Sequence, residues 1–374
     1  MSPLTRRHAI QGPRTHDDPQ ALLNVAVDAR RLQDRPLTGA GRWLANLLPH
    51  LATGANVVLL TDKRRTRAPG SDRQVALPVP WRLPEVVWLQ ASAARWLRSY
   101  RGVFHGTFNA LPLLNRQPSV VTIFDLSFEH HPEDFSNPKR LLFAAQARWA
   151  ARHARVILTV SEHARHSILA TYDVAPDRVM LAPPSVDPTF SPSRRGDAAG
   201  LLARRGVTGR YIVAVGGASR RNLKTAIAAW EASRASVETT LVVVGKEVPA
   251  QQRGVVHLGR IDDAVWAAVL AGATALCYPT RFEGYGMPAL EAAASGVPVV
   301  CAQVGPLPEV LGDAAEWCDP NDVLSVTAAL TRVLGDGGRR GRLRQLGLQR
   351  AATAPSWADS AAVVIDAYQR AEQS

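Results

Sequence analysis

The chain reads as an α/β protein built from two doubly wound parallel-sheet domains that face each other across a central cleft. Three observations lead there. Its 374 residues exceed what one hydrophobic core comfortably organises. Short β-rich apolar runs alternate with longer helical stretches, the pattern of buried parallel strands covered by helices on both faces. That alternation occurs twice, the second series starting after PPSVDPTFSPSRRGDAAG, with a Pro/Ser/Arg-rich link near residues 188–200.

The first series holds NVAVDA (24–29), NVVLLT (56–61), GVFH (102–105), SVVTIF (119–124), VILTV (156–160) and RVMLA (178–182). The second holds YIVAVG (211–216), TTLVVVG (239–245), GVVHLG (254–259), TALCYP (274–279) and VPVVCA (297–302). These runs place a first domain at 23–190 and a second at 200–355. Residues 356–374 read as a helix returning toward the first domain, and 1–22, which lack an apolar core of secretory length, as a disordered tail. In doubly wound sheets ligands bind beyond the carboxyl ends of the strands, so the cleft between the domains is the expected site.

Composition narrows the setting. No apolar run reaches the length of about 18 residues that a membrane helix needs. Cys277, Cys301 and Cys318 form no CxxC pair and sit in apolar surroundings, which predicts small buried hydrophobes in a reducing cytoplasm. Lys plus Arg (44) exceed Asp plus Glu (32), for a net charge of +12. Lys63, Arg64, Arg65, Arg67, Arg73, Arg82, Arg95 and Arg98 face only Asp62, Asp72 and Glu85 over 51–100. Such a surface suits anionic partners, and the absence of any nucleic-acid-binding motif ranks nucleic acid last. The stretch 81–102 interleaves Trp81, Trp88, Trp96 and Tyr100 with Arg82, Arg95, Arg98 and Arg101. It reads either as a helix on an anionic membrane face or as an amphipathic helix that packs its tryptophans inward.

RFEGYGMPALEAAASGVP (281–298) carries the chemistry. It follows the strand TALCYP, passes through a glycine loop, and enters a helix at Pro288, where a missing N–H costs nothing. Gly296 and Pro298 stop that helix. Glu283 thus lies in a loop at a strand's carboxyl end and Glu291 about one helical turn in. Between them the amides of Gly284, Tyr285, Gly286 and Met287 can converge on an anion with help from the helix dipole. Carboxylates accept from hydroxyls and amides donate to phosphate oxygens, so the segment suits a ligand with hydroxyls on both sides of a phosphate. Helix-dipole stabilisation of an acid, about 0.3–1 kcal/mol, accounts for Glu291 taken alone but not for Glu283 and the glycines.

EGYGMPALEA (283–292), with its two glutamates eight positions apart, resembles the E-x7-E motif of family 4 (GT4-type) retaining glycosyltransferases of the GT-B fold. The likeness extends through PLPEVLGDAAEWCDP (306–320) and Trp357, and upstream over nearly the whole chain. It implies two Rossmann-like domains, with the acceptor on the first and the nucleotide sugar on the second. It assigns Glu283 to the donor sugar and Glu291 to the ribose hydroxyls. GGASRRNLKTAIAAW (216–230) resembles the family's diphosphate loop, with Gly217, Arg220, Arg221 and Asn222 in place and Arg221 where Lys is usual. Lys246 follows the next strand and reads equally as a further phosphate contact or a surface lysine. DARRLQDRPLTGAGRW (28–43) matches the TGxG turn, whose Gly39 and Gly41 would let backbone approach the donor phosphate.

VVTIFDLSFEHHPE (120–133) resembles the family's VVTIHDLSF, but Phe124 stands where a histidine is usual, beside Asp125 as a cleft residue and with His130 and His131 nearby. PPSVD (183–187) replaces the usual PNGVD hinge, and VSEHARHSI (160–168) offers Arg165 to the cleft. The implied reaction is a front-face displacement in which the leaving diphosphate assists deprotonation of the acceptor. Its catalytic set is Arg220, Arg221, Glu283 and Asp125. Its donor-binding set is Gly39, Gly41, Gly217, Lys246, Gly284, Tyr285, Gly286, Met287 and Glu291. Neither adjacent pair, Asp17-Asp18 or Asp262-Asp263, forms a DxD metal signature, so no metal or other cofactor is expected. The wording is nearest to bacterial mannosyltransferases, which implies GDP-mannose as donor, a lipid-linked or polysaccharide acceptor, and a cytoplasmic place at the inner membrane face. A catalytically silent GT-B subunit and a GT-B epimerase or phosphorylase stay open as alternatives, motivated by Phe124 and the altered hinge.

Overall fold

The computed structural model describes residues 22–34, 37–62, 73–77, 85–234, 236–246 and 252–373. The tail up to residue 21, the basic run 63–72, and Trp81 and Arg82 lie outside the described residues.

The first sheet contains β1 (Leu23–Asp28), β2 (Ala55–Thr61), β3 (Gln74–Ala76), β4 (Val103–Gly106), β5 (Ser119–Thr122), β6 (Val156–Thr159) and β7 (Val179–Leu181). All pair in parallel in the order β3-β2-β1-β4-β5-β6-β7. The second contains β8 (Tyr211–Val215), β9 (Thr240–Val244), β10 (Val255–Gly259), β11 (Ala275–Tyr278), β12 (Val299–Ala302) and β13 (Ala315–Cys318), parallel in the order β10-β9-β8-β11-β12-β13. Both sheets are doubly wound. Their order reverses between β1 and β4 and between β8 and β11, where neighbouring loops diverge to opposite faces and leave a crevice. The chain leaves β1 toward the helix Gly39–Leu51, β8 toward the turn Ser219–Arg221, and β11 toward Glu283. All three exits meet at the interdomain cleft.

Each sheet is covered on both faces. Trp43, Leu44 and Leu47 of the helix Gly39–Leu51 pack on one face of the first sheet with Ala361, Val364, Ala367 and Tyr368 of the helix Trp357–Gln373. The C-terminal helix therefore belongs to the first domain's core. Tyr368 is locked there by its hydroxyl, 2.8 Å from Nδ1 of the fully buried His105, whose Nε2 lies 2.8 Å from Thr122 Oγ1. The three cysteines are buried and free, and burial pushes the Cys277 and Cys301 thiols well up.

Of the two readings of 81–102, the structure bears out the inward-packing one for the described tryptophans. It forms Glu85–Val87, a π-helical segment Trp88–Ala93 and Ala94–Leu97 in succession. Trp88 and Leu97 point into the core, and Trp88 Nε1 donates to the Leu77 carbonyl at 2.9 Å. Trp96 is partly buried against that core and stacks on Tyr100 at 4.9 Å. Trp88 and Trp96 seat the helix on that core. No helix among the described residues is long and apolar enough to cross a membrane.

Candidate active site

A cavity of about 700 Å³ lies between the domains. Its second-domain wall is made by Arg220, Arg221 and the continuous run Glu283–Pro288, and its first-domain wall by Thr38, Gly39, Trp43, Phe124 and Asp125. Phe108, Lys139 and Phe143 extend that wall, with the Arg31 guanidinium 4.5 Å above Phe108 and the Lys139 ammonium 5.4 Å from Phe143.

Glu283 is buried and held from two sides. The Tyr278 hydroxyl and the Arg220 guanidinium both meet its Oε1. Among the described residues no group donates to Oε2. Arg220 also donates to the Phe282 carbonyl at 2.8 Å, which fixes the guanidinium against the loop. Burial works against its charge, but the Glu283 carboxylate overcomes that and holds Arg220 protonated beyond the ordinary arginine range. Burial, reinforced by Glu283, pushes the Tyr278 phenol well up, so it stays a neutral donor. Tyr278 is the last residue of β11, so the strand itself delivers the hydroxyl that positions the glutamate.

Arg221 lines the cavity and donates to the Gly216 carbonyl at 3.3 Å, while its buried Nε has no partner among the described residues. The loop turns through Asn222, a non-glycine residue at φ +57°. That left-handed geometry is tolerated because its Nδ2 donates to the carbonyls of Pro279 (3.1 Å) and Pro320 (2.6 Å), tying the exits of β8 and β11 together.

The donor loop meets the first domain at Gly284. A Cβ there would stand 3.1 Å from both Asp125 Oδ2 and the Phe124 carbonyl, and Ser161 Oγ donates to the Gly284 carbonyl at 3.1 Å. Asp125 Oδ1 is committed to Ser127, accepting from its N–H at 2.9 Å and its hydroxyl at 2.6 Å. Gly286 has φ +101°, and a Cβ on it would stand 2.4 Å from Leu307 Cδ2. Tyr285 and Met287 line the cavity beside it. Phe124 packs edge-on to Trp43 at 5.4 Å, an apolar corner where the family resemblance led to an imidazole.

Other expected residues stand elsewhere. Glu291 is 2% exposed and does not line the cavity: Trp266 Nε1 donates to its Oε2 at 2.7 Å and Arg42 Nη1 to its Oε1 at 3.2 Å. Burial raises its carboxyl, against the pull of Arg42. Gly39 borders the cavity with open space at its Cβ position, but Gly41 does not; a Cβ there would strike the Arg31 carbonyl at 2.5 Å, so this glycine serves local packing. Lys246 is exposed and off the cavity; its backbone N would stand 3.5 Å from a Cβ on Gly217, which has φ +122°. His130 and His131 do not stand in for the missing imidazole: His130 bonds Ser167 at 2.9 Å and His131 lies 4.7 Å from the Phe282 ring, outside the cavity. Arg165 turns from the cleft to the carbonyls of Val179 and Pro176. Sequence reasoning passed over Tyr278, Arg42 and Glu309. The position of Tyr278 beside the glutamate loop was a usable signal; the partners of the other two lie far away in sequence.

Two facing doubly wound domains with a glutamate, arginines and a glycine loop at the second domain's switch point define the class, a GT-B glycosyltransferase. A model described as Glycosyltransferase Family 4 matches residues 37–190, and one described as Glycosyl transferases group 1 matches 209–336. The chain is 26% identical to O-antigen chain mannosyltransferase B of Escherichia coli over 89% of this chain and 96% of that one. It is 31% identical to the MMP alpha-(1->4)-mannosyltransferase of Mycolicibacterium hassiacum over 61% of this chain and 57% of the other. Among solved structures, sucrose-phosphate synthase from Thermosynechococcus elongatus superposes with a TM-score of 0.72 at 17% identity, covering 93% of this chain and 98% of that one. Anabaena HepE, solved in complex with UDP and glucose, superposes with a TM-score of 0.72 at 14% identity, covering 92% and 99%. The chain belongs to the GT4-type glycosyltransferases and is bacterial mannosyltransferase-like.

Proposed function

We propose that this enzyme transfers mannose from GDP-mannose, with retention, to a lipid-linked or polysaccharide acceptor. The observation that carries the reading is the Glu283–Arg220–Tyr278 cluster, which holds a carboxylate at the cavity beside a cation and the amides of Gly284–Met287. The named mannosyltransferase activities of the bacterial relatives support the choice of sugar.

In the proposed reaction the acceptor oxygen bonds to the anomeric carbon on the face from which the diphosphate departs. The acceptor proton passes to a leaving phosphate oxygen. Arg220, Arg221 and the loop amides balance the charge gathering on the diphosphate, the largest contribution a preorganised site usually makes. Glu283 Oε2 accepts from a sugar hydroxyl, Asp125 borders the reacting centre, and Glu291 serves the ribose. With arginines in that role the chemistry is proposed to run without metal or other cofactor. The acceptor lies along Phe124, Phe108 and Phe143. An inner, anionic membrane face is the proposed setting, supported by the net charge of +12 and by exposed Leu113, Leu114, Leu141 and Leu142 on the same domain.

The test combines thermal shift with turnover. GDP-mannose, UDP-glucose and dTDP-glucose are offered to the purified chain with a polyprenyl diphosphate-linked glycan. GDP-mannose should stabilise most, GDP should be released only with acceptor present, and the new linkage should be α. Preference for a UDP-sugar would overturn the donor, a β-linkage would overturn retention, and silence with all three would overturn the reading.

A further inference from the structure

Glu291 poses a conflict. The proposed function gives its carboxylate to the ribose, yet each oxygen already accepts one bond, from Arg42 or from Trp266, and the side chain is sealed from the cavity. Trp266 belongs to the same domain, from the helix Asp263–Gly272. Arg42 comes from the other domain, in the first turn of the helix Gly39–Leu51. Its guanidinium forks, one nitrogen to Glu291 and the other to Asp263 at the start of that facing helix. A forked cation across a domain boundary is a two-pronged tie, and Arg is suited to it by its planar pair of donors.

We propose that Arg42 is a positioning residue that stands at the ribose end of the donor site and gives way to the ribose hydroxyls when a nucleotide binds. Three observations converge on this. Arg42 reaches Glu291 Oε1 from the first domain, while Trp266 holds Oε2 from within the second. The Arg42 side chain is 33% exposed, so it has somewhere to go, whereas Glu291 at 2% does not. And Arg42 lies two residues beyond Ala40, in the same helix start whose Thr38, Gly39 and Ala40 line the cavity, so a diphosphate arriving there would meet the first turn that carries it. A buried carboxylate left without a partner is costly, so it is held by one occupant or the other.

The inference rests on the reading of Glu291 as the ribose contact, and its test separates the two. Dissociation constants of GDP and 2′,3′-dideoxy-GDP are measured by calorimetry for the wild-type chain, Arg42→Gln and Arg42→Lys. Effects of Arg42 on closure act on both nucleotides equally, so the ratio of the two constants isolates competition at the ribose. A competitor that masks the site reduces affinity by the fraction of time it is absent. Removing it should therefore raise the hydroxyl preference about tenfold in Arg42→Gln. Arg42→Lys, which keeps the charge but not the fork, should fall between. An unchanged or smaller ratio in Arg42→Gln, with GDP still bound by the wild type, would overturn the exchange and leave the proposed function standing. No preference for the hydroxylated nucleotide in either the wild type or Arg42→Gln would overturn the ribose role itself, and the exchange with it.

Discussion

At the residue scale the site depends on one carboxylate oxygen. Glu283 Oε1 receives both the Tyr278 hydroxyl and the Arg220 guanidinium, so the glutamate is oriented and the arginine neutralised by the same atom. Glu283→Gln keeps the shape and an acceptor for Tyr278 but removes the charge that anchors Arg220. Loss of a preorganised electrostatic donor costs about 2.7–4 kcal/mol of barrier in comparable sites. Turnover in Glu283→Gln should accordingly fall by about 10²–10³-fold, more than the loss of the buried Arg220 pair lowers thermal stability. Steady-state kinetics beside a melting curve checks this; a parallel loss of stability and activity would make the residue structural. Glu283 and Arg220 each stood out in the sequence, one from its glycine loop and one from its place after a strand. Their pairing did not, because nothing in local periodicity reports a contact between loops sixty residues apart. The bond from Arg42 to Glu291, across 249 positions, was hidden for the same reason.

At the element scale, legibility followed burial. Strands such as β8 and β12, buried at every position, announce themselves as unbroken apolar runs. β3 is three residues long and only half-buried, and β13 carries Glu316 and Trp317, so neither has the run that marks an interior strand. The stretch 85–97 left two readings open because tryptophans beside arginines read the same whether they face lipid or a core; only packing tells them apart. The C-terminal helix is fastened by a buried polar chain, Tyr368–His105–Thr122, and that chain makes a pH prediction. Burial, opposed weakly by Asp28, drives the His105 imidazole from 6.5 down to about 3. Between those values the unfolded chain binds a proton that the folded chain refuses. This contribution to stability is therefore complete above 6.5 and is lost as pH falls toward 3. Urea unfolding between pH 7.5 and 5 should show an acid loss of up to about 1.4 kcal/mol per pH unit from this group. His105→Gln should lack that increment whatever its absolute stability; equal slopes would show that the imidazole is not refusing the proton.

At the scale of the whole molecule, closure is built from ties of two kinds, and they should respond oppositely to mutation. Arg42 spans the domains through a group the donor is proposed to need. Glu309 spans them through groups the donor does not need: its two oxygens accept from the backbone N–H of Glu162 (2.8 Å) and His163 (3.2 Å), at the start of the helix Glu162–Tyr172. One domain thus caps a helix of the other across the cleft. An N-terminal cap is worth about 0.5–2 kcal/mol, and here that stabilisation belongs to the closed form rather than to folding of either domain. Glu309→Ala should leave the melting temperature near that of the wild type but shift the open–closed balance by roughly 2–30-fold. In solution scattering with saturating GDP the variant should keep a larger radius of gyration than the wild type. Its affinity for GDP and dideoxy-GDP should weaken together, where Arg42→Gln raises the preference for GDP. A Glu309→Ala variant that closes fully on GDP would show that the cap follows closure and adds nothing to it. One that discriminates between the two nucleotides would show instead that both ties act through the ribose, and the division between them would fall.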